Sequence, residues 1–133
     1  MKTSAHKNIT FYTADCTYVL RGKNDIRKWL TAVAKTEKQR IDALSYVFCS
    51  DSYLYNMNVQ FLNHKTLTDI ITFDTAESVN GITGEIYISI DRVRENAAEL
   101  GLLFRDELHR VMAHGLLHLC GYKDKLPKDK KRM

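Results

Sequence analysis

The sequence predicts an α+β fold: a small mixed sheet of about four strands with helices packed on it. Two observations carry this. Segments with strand alternation and segments with helical periodicity follow one another in the order β-α-β-α-β-β-α-α. The two adjacent strands, 68–75 and 84–90, are separated by turn chemistry at 78–81 (SVNG) and so pair as a hairpin.

Taken in order, 9–13 (ITFYT) is rich in β-branched and aromatic residues and reads as a strand. Residues 24–38 read as a helix: Asn24 suits the N-cap, and Ile26, Trp29, Leu30 and Val33 recur at helical spacing. Leu44, Tyr46 and Phe48 alternate in a second strand. Residues 51–62 form a helix opened by Asp51 or Ser52, with Leu54, Met57 and Phe61 on one face. In 68–75, Ile70, Thr72 and Asp74 stand opposite Ile71 and Phe73, and in 84–90 Ile86, Ile88 and Ile90 share a face. Asp91 is expected to cap a helix with Val93, Ala97 and Leu100 turned inward and Gly101 at its end. The last helix runs from about Leu103 to Cys120 and stops at Gly121, with Asp106 and Glu107 in its first turns, where the helix dipole favours acids.

The chain has 133 residues, the size of one domain, so residues 1–133 are read as a single unit. Hydrophobic residues at 44% and charged residues at 27% exclude a disordered chain. No apolar run approaches the roughly 18 residues of a membrane span, and the polar N-terminus shows no signal peptide. No membrane partner is expected. The odd set of Cys16, Cys49 and Cys120 then reads as free thiols in a reducing cytoplasm. Lys and Arg total 20 against 16 acids. The excess of four lies wholly in residues 122–133, which hold six bases and two acids. Such a tail is either a solvated end or a contact for an anion such as nucleic acid.

Chemistry concentrates in residues 114–124, HGLLHLCGYKD. His114 and His118, four apart on a helix, place both imidazoles on one face, about one turn apart. Gly121 lets the chain turn back, and Asp124 can bring a carboxylate to the same ion. This puts a metal site at the end of the last long helix. Two histidines and an aspartate leave a fourth position open, the layout of a catalytic zinc site. The metzincin proteases share the spacing but carry a glutamate after the first histidine as general base. Here that position is Gly115, which argues against peptide hydrolysis.

His114, Gly115, Leu117, His118, Leu119, Gly121 and Tyr122 stand in register with the signature H-G-x-L-H-L-x-G-Y-D-H. With TDIITF at 68–73, GEIYISIDRVRENAAEL at 84–100 and Glu107, the chain resembles the bacterial YbeY-type metal-dependent endoribonucleases, also called rRNA maturation factors. The resemblance implies a mixed sheet with helices and hydrolysis of single-stranded RNA in ribosomal RNA maturation. It also implies one divalent ion, Zn²⁺ first, and ribosomal RNA and the small ribosomal subunit as partners.

Three departures are visible. The closing Asp-His of the signature is Lys123-Asp124, so the third ligand would be Asp124. The arginine usual before the TDxxTF strand is Leu62 by position, and His64, two residues on, is either a substitute phosphate contact or a solvated loop histidine. The chain stops at Met133, where the family tends to continue with an acidic helix. Glu85 is a candidate base or support for the metal ligands, no base is assigned, and Cys120 is read as core packing. Two alternatives stand beside the nuclease: another zinc hydrolase (a peptidase or amidohydrolase), or a non-catalytic ribosome-binding metalloprotein.

Overall fold

Strand β1 (Ile9–Thr13), helix α1 (Lys23–Thr36), strand β2 (Arg40–Cys49) and helix α2 (Asp51–Leu62) make the first half. Strands β3 (Ile70–Asp74) and β4 (Gly81–Ser89) follow, then helices α3 (Ile90–Leu100) and α4 (Phe104–Leu119). The computed structural model describes residues 8–62, 68–76 and 81–121. The element order is the one the sequence predicts. The sheet order is β1-β2-β4-β3, with β1, β2 and β4 parallel and β3 antiparallel at the edge. The expected hairpin is present, Ile70 opposite Ile88 and Asp74 opposite Gly84.

Alternation along the strands sends side chains to two faces, and each face has its own core. On one, Ile9, Leu44, Tyr46, Phe48, Ile86 and Ile88 meet α1, α3 and α4. On the other, Cys49 and Ile71 meet Leu54 of α2, with Met57, Phe73 and Tyr87 against them. Each fully buried Leu or Ile contributes about 1.5–3 kcal/mol, so the larger cluster holds most of the stability. Among the described residues no helix is long and apolar enough to cross a membrane.

Four local readings need correction. Helix α1 starts one residue before Asn24: Gly22, in the left-handed region at φ 69°, takes the cap position. The Asn24 side-chain oxygen is occupied instead by the Arg27 guanidinium at 3.0 Å. Ser89, not Asp91, caps α3, its hydroxyl accepting from the Arg92 amide at 3.1 Å. Strand β2 begins at Arg40, earlier than the alternation of 44–48 shows, because polar Arg40 and Asp42 pair with each other beside a bulge. Leu100 and Phe61 are 59% and 64% exposed, and Trp29 is exposed as well, so none of the three belongs to the core.

Asp51 joins the starts of α2 and α3. Its carboxylate accepts from the Ser89 hydroxyl at 2.6 Å and from Arg92 at 2.8 Å. Burial works against its charge, but the hydrogen bonds from Arg92 and Ser89 outweigh burial and hold its pKa below the usual value. A lowered carboxyl pKa stabilises the fold above the unfolded value of about 3.9, and that contribution is lost as pH falls through the folded value. Asp51→Asn should therefore cost about 1–2 kcal/mol at neutral pH. Urea titrations of both proteins should converge as the pH is lowered beneath the carboxyl range; a constant gap would show that the charge is not responsible.

Candidate metal centre

Helix α4 carries the site, and its register follows from the sheet. Leu108, Val111, Met112, Gly115 and Leu116 are buried at helical spacing. The phenol of fully buried Tyr46 donates to the Met112 carbonyl at 2.9 Å, two residues before His114. Burial raises the pKa of that phenol, so it stays a protonated donor. Gly115 sits against the sheet so closely that an added Cβ would lie 2.8 Å from Ile70 Cδ1 and 3.0 Å from Ile86 Cγ2. The glycine at the metzincin glutamate position thus faces the sheet, and a side chain there would press on Ile70 of β3 and Ile86 of β4.

Beside that buried side, α4 presents His114 exposed and His118 half-buried. Their ring centroids are 4.8 Å apart with the planes at 48°. The structure brings this predicted pair together on one face. Cys120 ends the helix, its amide bonded to the Leu116 and Leu117 carbonyls, and Gly121 continues at φ 115° with its amide on the His118 carbonyl at 3.0 Å. Cys120 packs against the main core, as expected. Asp124, the third predicted ligand, lies outside the described residues, as do His64 and the basic tail. Among the described residues no group of three His, Cys, Asp or Glu is placed to hold an ion. The fit to a divalent cation therefore rests on two imidazoles at a spacing suited to one ion, His114 exposed and His118 half-buried.

Two turns toward the helix start, α4 is buried. Glu107 is fully buried, and Arg110 holds it with two bonds, Nε to Oε1 at 2.9 Å and Nη2 to Oε2 at 2.7 Å. Asp69, just before β3, adjoins this group. Burial raises its pKa above the ordinary value, a neighbouring Glu107 adds to this, and its own backbone, His114 and Arg110 pull the other way. Asp69 was not singled out from the sequence. The only signal for it is a carboxylate placed directly before an apolar strand, and its approach to α4 depends on the β3–β4 pairing.

Glu85 is placed elsewhere. Gly84 meets Leu119 of α4, so Glu85 opens on the other face of β4, where its Oε1 accepts from the Tyr87 phenol at 3.1 Å. It does not stand beside the histidines. Leu62 ends α2 with its side chain exposed.

A family model described as Endoribonuclease YbeY matches residues 9–133. The chain belongs to the YbeY endoribonuclease family. A YbeY endoribonuclease of Cytophaga hutchinsonii is 54% identical over 127 residues, covering 96% of this chain and 89% of the relative. One from Porphyromonas gingivalis is 42% identical, covering 94% and 82%. The solution structure of TM1509 from Thermotoga maritima is similar at 28% identity and a TM-score of 0.60, over 92% of this chain and 85% of that one. Membership bears out the resemblance and makes this chain an endoribonuclease, a hydrolase acting on RNA. The mixed sheet with helices on it is the fold the resemblance implied. The peptidase reading falls on family membership as well as on Gly115.

Proposed function

We propose that His114, His118 and Asp124 hold one divalent ion, Zn²⁺ first, and that this centre cleaves single-stranded RNA during ribosomal RNA maturation. The observation that carries the reading is the histidine pair, 4.8 Å between rings on one face of α4, in a chain of an endoribonuclease family. A divalent ion held there would supply Lewis acidity toward water and the phosphodiester. Mixed nitrogen and oxygen donors suit zinc. The protein's own part is rigidity: Tyr46 and Gly115 fix the helix on the sheet, and Glu107 with Arg110 locks the turn before His114. Residues 1–133 act as one domain, in the cytoplasm, with ribosomal RNA and the small ribosomal subunit as partners.

The test is a substrate panel of RNA, peptide and ester with and without chelator. Cleavage of RNA alone, lost with chelator and restored by zinc, is the expected result. Turnover of peptide or ester would favour the broader zinc hydrolase, and RNA binding without cleavage would favour the non-catalytic ribosome-binding metalloprotein.

A further inference from the structure

Between α2 and the outer face of β3 and β4 lies a cavity of about 710 Å³, within the size range of small-ligand sites. It takes no part in the metal centre. Its walls are aromatic. Tyr53 and Tyr87 are stacked, with centroids 6.5 Å apart and planes at 18°. Phe73 meets Tyr87 edge-on at 5.8 Å and Phe61 edge-on at 6.3 Å. Phe61 is 64% exposed and Tyr53 37%, so two rings keep open surface at the cavity mouth.

The polar lining is specific. Glu85 is exposed to the cavity, and one of its oxygens accepts from the Tyr87 phenol. Burial, with help from the Glu85 carboxylate, pushes the Tyr87 phenol up to about 12, so that proton stays in place. The other Glu85 oxygen has no hydrogen bond among the described residues, and the bonded one keeps a second lone pair, so both can accept from a ligand. Gln60 adds an amide to the same wall.

We propose that this cavity receives one unpaired nucleobase of the RNA substrate, guanine in preference to the others, stacked on the aromatic wall with its Watson–Crick edge on Glu85. Unpaired RNA bases are recognised by aromatic stacking and by hydrogen bonds to that edge. Guanine presents two adjacent donors, N1–H and N2–H₂, and a carboxylate accepts both. Adenine and cytosine set one amino donor beside an acceptor nitrogen, which faces the second carboxylate oxygen unfavourably. Uracil offers one imino donor between two carbonyls. With the base inserted and its phosphates outside, the Glu85 charge meets donors rather than phosphate.

The inference rests on the RNA-cleaving reading, and the fold joins the two sites. Ile70 of β3 touches Gly115 of α4 on one face of the sheet, while Phe73 of the same edge strand lines the cavity on the other. A single strand passing around the β3 edge therefore meets both.

The experiment titrates the full chain with GMP, IMP, AMP, CMP and UMP, read by NMR shifts of the aromatic residues. GMP should bind about tenfold tighter than UMP, because only it satisfies both carboxylate oxygens. IMP, which lacks the N2 amino group, should lose most of that advantage without any change to the protein. Glu85→Gln, an exposed position, should erase the discrimination, and Phe61→Ala should weaken all the bases alike. Equal affinities for GMP and IMP, discrimination that survives Glu85→Gln, or no binding of GMP would overturn the proposal. His118→Ala, on the other face of the sheet, should bind GMP as the parent does. Loss of cleavage with guanine preference intact would strike the metal reading alone. Metal-dependent cleavage without guanine preference would strike the pocket alone.

Discussion

Arg110→Ala should destabilise the fold by about 3 kcal/mol, more than any surface ion pair would account for. Glu107 is fully buried and takes both described hydrogen bonds from this one guanidinium. Removing the arginine strands a carboxylate where burial disfavours charge, at the turn that precedes His114. The arginine itself is 59% exposed, which holds the expected cost to the lower end for broken buried pairs. The double replacement Arg110→Met with Glu107→Leu should recover most of the loss, since it leaves no orphaned charge. Urea unfolding of the three proteins measures this. A cost below about 1 kcal/mol for Arg110→Ala would show the pair to be an ordinary surface bridge.

His118→Ala should lower RNA cleavage on the order of a thousandfold or more while leaving the melting temperature near that of the metal-stripped parent. The ring is half-buried at the last turn of α4, and the buried positions that seat the helix on the sheet lie elsewhere, from Glu107 to Leu116. His114→Ala should act in the same way, because the two rings share one face at 4.8 Å. Cleavage within a few-fold of the parent in both variants would remove the pair from the reaction.

The local part of this architecture was legible. Periodicity along 9–13, 51–62 and 84–90 reports backbone geometry directly, and Gly101 and Gly121 marked true helix ends because both sit at positive φ. The histidine pair was legible for the same reason, since a spacing of four on a helix is itself a geometric statement. What a local pattern does not contain is the neighbour. The order β1-β2-β4-β3 depends on which crossover packs where, and with it goes the approach of Asp69 to α4. Ser89 and Asp91 are both good caps, and the choice fell to Ser89 because Asp91 accepts from the Asp51 amide of another helix. Glu85 alternates with Ile86 and Ile88, but that α4 covers the isoleucine face, and so leaves Glu85 across the sheet from the histidines, is known only from the packing. Gly115 was visible as the absence of a peptidase base, while its cause, contact with Ile70 and Ile86, exists only in the packed molecule.

The central claim is that His114, His118 and Asp124 together hold the one ion on which RNA cleavage depends. Metal analysis of protein purified without an affinity tag, beside its His118→Ala and Asp124→Ala variants, tests it most directly. About one divalent ion per parent chain and almost none in either variant is the predicted result. An unchanged metal content in His118→Ala, or full RNA cleavage by a parent protein stripped of metal, would contradict it.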